Sequence, residues 1–108
     1  MMRGGNMQNM MKKMKKMQKE MEQTQQKLDE TEFIGKASGG VVQAVFTGDR
    51  TFQSVEIDSE LIDPEDPEML QDLIVIAVND ALAQVDQETN EKMSKYTDSF
   101  NIPGMPNF

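Results

Sequence analysis

The chain is 108 residues long, which allows one small domain with a modest core, and its formal net charge is −8. It holds no cysteine and no histidine, which excludes disulfides, thiol chemistry, the commonest general base and the commonest transition-metal ligand. Only 37% of its residues are hydrophobic, a shortage that suits long helices exposed on both flanks and a core completed by a second copy.

Residues 1–5 are expected to be loose, because Gly4-Gly5 resists helix. A helix is expected over residues 6–31, where neither Gly nor Pro occurs and Met, Lys, Gln and Glu favour it. Met7, Met10, Met14, Met17 and Met21 alternate spacings of three and four, a register that continues through Thr24 to Leu28. At about 100° per residue these methionines fall within roughly 80° of arc. Lys12, Lys13, Lys15, Lys16 and Lys19 spread over the far side. The first nineteen residues carry six of the eleven basic groups and no acidic one. Such a one-sided distribution points to a charged partner more firmly than net charge does.

Three strands are expected over residues 32–57: Glu32 to Ala37, Val41 to Thr47 and Thr51 to Ile57. Ser38-Gly39-Gly40 and Gly48-Asp49 separate them, and turns this close make an antiparallel meander the default. The central strand reads as apolar on both faces, Val41 and Val45 on one and Val42, Ala44 and Phe46 on the other. A sheet covered on one side only shows polar residues on its back, so these five residues are the expected homodimer interface. Residues 58–66 form an acidic linker ending in Asp66-Pro67-Glu68, a helix start with an Asp cap and proline at the first helical position. The second helix is expected over 67–97, with Leu70, Leu73, Ile74, Ala77, Ala81 and Val85 on its apolar stripe, and a tail over 98–108. The fold class is α+β: helix, three strands, helix, in one domain spanning the chain.

The methionine stripe reads either as an ordinary helix-packing seam or as an adaptable groove that makes the protein an interaction module for an amphipathic partner segment. The lysine face reads equally as a solvated surface or as a DNA-phosphate contact, with an acidic lipid surface as a lesser alternative. Before Glu20 no carboxylate offers an i,i+4 partner. The face lacks arginine and aromatic residues, so guanine readout and base stacking are not expected from it. The acidic linker lacks the spaced ligands and mid-loop glycine of a calcium loop. No base–nucleophile pair, phosphate-cradling loop or metal cluster is found, so no enzyme, no cofactor and no small-molecule substrate are expected. No run approaches the roughly 20 apolar residues of a membrane helix. Lysine interrupts Met10-Met11 and Met14 too soon for a signal peptide. A soluble, cytoplasmic protein is expected.

Taken in order, several segments resemble the YbaB/EbfC family of bacterial nucleoid-associated proteins. A Met/Gln/Lys-rich first helix leads to Gly35, then Ser38-Gly39-Gly40-Val41-Val42 and Gly48. Val55-Glu56-Ile57-Asp58, Leu61-Ile62, Ala77-Val78-Asn79-Asp80-Ala81 and Pro103-Gly104-Met105-Pro106 follow. The resemblance spans roughly residues 6 to 106 and rests on order and spacing. It implies a non-enzymatic, cytoplasmic homodimer joined through its sheets, with helices projecting like tweezers, that binds DNA and coats the nucleoid. Two positions depart from the family, which is often basic where this chain has Gln53 and Ser54, and again where it has Leu82, Ala83 and Gln84. Lys12, Lys13, Lys15, Lys16 and Lys19, with Arg50, are therefore the expected DNA contacts.

Overall fold

The computed structural model describes residues 2–99, with side chains from Met7 to Tyr96. Two α-helices and three strands run in the order α1 (Met2–Glu30), β1 (Glu32–Ala37), β2 (Val42–Thr47), β3 (Phe52–Ile57) and α2 (Pro67–Ser99), with short 3-10 turns at Ser38–Gly40 and Ser59–Leu61. Helix α1 starts at Met2, running through Gly4 and Gly5 where a loose segment was expected. Glycine in a helix costs about 1 kcal/mol relative to alanine, which the good helix formers downstream offset. At the other end α2 continues to Ser99. The expected tail beyond it, residues 100–108, lies outside the described residues.

The strands form an antiparallel sheet in the order β1-β2-β3. Register pairs Phe33 with Phe46, Gly35 with Ala44 and Ala37 with Val42, placing all six on one face. Across the other ladder Val42 pairs with Ile57, Ala44 with Val55 and Phe46 with Phe52. A bulge near Val45 and Phe46 leaves Gln53 as the extra residue, and it lets the Phe52 ring stack on Phe46 at 4.6 Å.

Helix α2 lies over this face, above β1 and β2. Its Ala77, Ala81 and Val85 join Phe33, Ala37, Val42, Ala44 and Phe46 in the buried core. Small residues let the backbones meet. A Cβ on Gly35 would stand 2.0 Å from the Ala77 carbonyl oxygen, so only glycine fits beneath the helix. The same helix caps the outer edge of β1: the Lys36 N–H donates to Asp80 at 2.9 Å and the Gln84 amide donates to the Ile34 carbonyl at 2.8 Å. An edge satisfied in this way offers no template for another strand. Asp66 caps α2 as its sequence indicates, accepting from the Met69 N–H at 3.3 Å.

The central strand's two faces differ. Val42, Ala44 and Phe46 are buried under the chain's own α2. On the opposite face Val45 is half-buried beside Gln43, whereas Val41, just before the strand with helical φ and ψ of −67° and −24°, packs half-buried against the core. Register sets Gln43 between Lys36 and Glu56, and Val45 between Ile34 and Ser54. The back of the sheet is therefore mixed in polarity, a character the central strand alone conceals.

The last third of α2 runs past the sheet, and the molecule measures 80 × 27 × 17 Å. Replacing Gly35 with alanine should destabilise the protein by about 2–3 kcal/mol, because the added methyl meets backbone that cannot move aside. A thermal melt of Gly35→Ala should show a midpoint roughly 10 °C or more below the parent. An unchanged midpoint would contradict the close approach of α2 to β1.

Candidate nucleic-acid interface

The five lysines belong to α1, so the interface begins with what holds α1. Near its C-terminal end, Leu28 is buried. A Cβ on Gly48, in the β2–β3 turn, would fall 1.8 Å from the Leu28 carbonyl oxygen, so the turn closes directly on the helix end. The Gly48 N–H donates to the Thr31 carbonyl at 3.0 Å, and the Thr31 hydroxyl donates to the Lys27 carbonyl at 2.6 Å. One turn further out, the Thr24 hydroxyl lies 3.1 Å from the buried Tyr96 hydroxyl of α2. Lys95 stands over the Tyr96 ring at 4.9 Å from its centroid. Thr24 sits opposite Tyr96, while Leu28 and Thr31 share a cleft with Glu88 and Glu91. The helices are therefore antiparallel where they pack.

Beyond Met21, α1 is largely exposed. From Met7 to Glu20 every side chain is exposed except the half-buried Met17. The heptad stripe is thus one continuous surface with two fates. Its Leu28 end is packed, whereas Met7, Met10 and Met14 are 57–65% exposed. Lys12, Lys16 and Lys19 lie on the side of this cantilever away from the stripe, Lys13 lies at its margin, and Lys15 lines a shallow groove with Met11, Met14, Gln18 and Met21. Among the described residues none of the five has a carboxylate within ion-pair distance. No acidic residue occupies the first turn of α1 either. The lysines therefore repel one another along the helix, and an anion would relieve that repulsion.

Arg50 is placed differently. It lies in the β2–β3 turn with a left-handed φ of 67° and forms an ion pair with Asp86 of α2. The turn beside it is pinned by Asp49, which accepts from the Thr47 hydroxyl and, at 3.1 Å, from the Thr51 N–H. Those donors, the Thr47 hydroxyl first, hold the Asp49 carboxyl below its ordinary pKa. Sequence reasoning missed the Asp86 partner because 36 residues separate it from Arg50. No signal local to Arg50 announces that pairing.

A second surface stands apart from the lysines. Helix α2 covers β1 and β2 but leaves β3 bare, so Phe52 and Val55 are 46% and 39% exposed on the helix side of the sheet. Half-buried Val78 and Leu82 and exposed Val75 form the flank of α2 opposite the one carrying Asp80 and Gln84. Since Asp80 and Gln84 cap β1, this apolar flank faces β3. Floor and wall make one apolar ledge along an edge strand. Among the described residues no side chain caps that edge.

There are no clusters of potential metal ligands among the described residues, and no helix is long and apolar enough to cross a membrane.

Residues 2–100 match the model of the YbaB/EbfC DNA-binding family. The chain is 53% identical over 109 residues to a nucleoid-associated protein of Enterococcus faecalis, with both chains fully covered. It is 57% identical over 106 residues to one of Pediococcus pentosaceus, covering 96% of this chain and all of that one. A crystal structure of an uncharacterized protein from Helicobacter pylori superposes with a TM-score of 0.65 at 28% identity, covering 77% of this chain and 87% of that one. The chain belongs to the YbaB/EbfC DNA-binding family, a non-enzymatic class of nucleoid-associated proteins.

The Tyr96 clasp carries a direct test. Tyr96→Ala removes a buried aromatic ring, a change of about 3 kcal/mol, from the contact between α2 and α1 at Thr24. Amides of residues 22–30 should then exchange with deuterium faster than in the parent, while those of Val42 and Ala44 keep their protection. Equal protection along α1 in both proteins would show that something else holds the helix.

Proposed function

We propose that the protein is a cytoplasmic, nucleoid-coating homodimer that holds DNA through phosphate contacts along α1, with little sequence preference. The observation that carries this reading is the lysine face of α1, lacking acidic partners and raised clear of the acidic body. Lys12 to Lys19 span roughly 10 Å of helix axis, a length over which duplex DNA presents about six phosphates. A straight helix on one side reaches only part of these, about three. Lysine makes a point-charge contact without reading a base edge, which supports low specificity. Arg50 joins only by exchanging Asp86 for a phosphate.

The dimer is inferred from the ledge. A two-fold axis beside β3 brings two uncapped edges together and sets Val75, Val78 and Leu82 of one chain against Phe52 and Val55 of its partner. That arrangement joins the sheets and sends both α1 helices outward. It assigns the interface to β3 and α2, with Val42, Ala44 and Phe46 already taken by the chain's own core, Val41 packed against that core and Val45 on the mixed back face.

Two measurements check this reading. Val55→Glu puts a charge on a side chain exposed in the single chain, so the fold should survive, whereas burying that charge at an interface costs several kcal/mol. Light scattering at micromolar concentration should give two chains for the parent and for Val45→Glu, but one for Val55→Glu. A dimer that survives Val55→Glu and is lost with Val45→Glu would move the interface to the back of the sheet. For DNA, two α1 helices predict a log–log salt slope of roughly −3 to −6. Replacing Lys12, Lys16 and Lys19 with glutamine keeps helix propensity and the Met stripe. That variant should stay dimeric, lose affinity evenly across unrelated duplexes and show a shallower slope. Unchanged binding would remove α1 as the DNA element.

A further inference from the structure

The projecting half of α1 carries a stripe that the chain's own fold leaves bare. Met7, Met10, Met11 and Met14 are each more than half exposed, and Met17 is half-buried. Large apolar side chains in a row on a solvated helix are a docking surface, not scattered surface residues. Resting on the reading that α1 meets DNA, we propose that this stripe pairs antiparallel with the same stripe of a second copy, and that the pair bridges two DNA duplexes.

The spacing of the methionines carries the choice of partner. Met7, Met10, Met14 and Met17 are separated by three, four and three positions, a pattern that reads the same in both directions about Lys12. A two-fold axis at that level sets Met7 of each copy against Met17 of the other, and Met10 of each against Met14 of the other. Met11, on the margin of the stripe, meets its own counterpart and adds an apolar contact. Further along the helix the register continues through Met21 to Thr24, but there Tyr96 of α2 already lies 3.1 Å from the Thr24 hydroxyl. The self-complementary stretch is the one that α2 leaves free.

Charge and size set when the pair forms. Lys13, at the other margin, comes beside Lys13 of the second copy, and these like charges repel. The paired stretch, from Met7 to Met17, is about 15 Å long. It is far smaller than a standing interface, which takes roughly 20–30 residues a side. Copies free in solution therefore stay apart. The pair forms where DNA holds copies close and its phosphates offset the Lys13 charges. Lys15 borders the groove formed with Met11 and Met14. Its stem extends the apolar floor while its amine stays at the rim in solvent.

Bridging follows from where the remaining lysines lie. Lys12, Lys16 and Lys19 are on the side of α1 away from the stripe, so pairing two stripes turns the two sets in opposite directions. One straight duplex cannot touch both. Each set takes its own duplex, with two helices of about 10 Å diameter between them.

A capture assay tests the bridge. One duplex is held on beads, and a second, labelled duplex is recovered from low salt only if protein joins the two. The parent should recover it, and replacing Met7, Met10 and Met14 with glutamine should lower recovery by roughly five-fold or more. Glutamine keeps helix propensity, so the same variant should bind a single short duplex within about two-fold of the parent. Its mass by light scattering should also match the parent's. The absence of cysteine allows a second probe. With long DNA present and dissolved oxygen as oxidant, Met11→Cys should give disulfide-linked chains. Lys12→Cys, at the same level on the far side, should not. Undiminished recovery by the glutamine variant overturns the proposal, since the two arms of one dimer would then bridge by themselves. Cross-linking at Lys12→Cys equal to that at Met11→Cys overturns it too. A parent that binds one duplex and recovers no second overturns the bridge alone, whereas a parent that binds no duplex overturns the α1 reading along with it.

Discussion

Gly48 meets the Leu28 carbonyl with no side chain between them, and the rest of the molecule is organised around that contact. It fastens the β2–β3 turn to the end of α1, so the direction in which α1 leaves the sheet is set by backbone against backbone. Tyr96 and Thr24 repeat the constraint one helical turn further out. Two fixed points along a rod determine where its free end goes. Without them a helix with one packed end would sweep a broad cone, and a charge pattern on its far end would have no defined position relative to the sheet.

Charge explains why the free end needs to be held away. Basic residues cluster in the first nineteen positions, while all nineteen acidic residues come later. At physiological ionic strength, screening acts over about 8 Å, so lysines lying within that distance of the acidic body would have their field cancelled. Carrying them on a helix that stands clear of the sheet keeps their attraction to phosphate while the body repels it. The only basic side chain of the β2–β3 turn, Arg50, is already paired with Asp86. The proposed binding is thereby confined to the projecting helix, and the acidic remainder would limit its strength.

Much of this was legible in the sequence because the relevant signals are local. Strand β1 is bounded by helix and glycines, α2 opens on an Asp-Pro-Glu cap, and the spacing of Met and Lys on α1 states both of its faces. Which face of β2 the chain's own helix takes was not legible, since Val41, Val42 and Val45 have the same chemistry. The answer came from Gly35 and Ala77, small residues whose meaning depends on their being brought together across 42 positions of sequence. The apolar ledge was hidden for the same reason. Phe52 and Val55 look like ordinary strand residues until α2 is seen to stop short of β3. The lysine face was the most legible part of the candidate site and the Arg50–Asp86 pair the least, because the first needs only helical periodicity and the second needs the tertiary fold.

The central claim is that DNA is met by one face of one helix. A backbone-amide NMR titration of the full-length protein with a short duplex of arbitrary sequence, at low salt, tests it most directly. Shifts should concentrate on residues 12–19 of α1, grow together as duplex is added and reverse when salt is raised, with β1, β2 and the first half of α2 unmoved. Shifts centred on the sheet or on the β3 ledge, with residues 12–19 silent, would contradict the account.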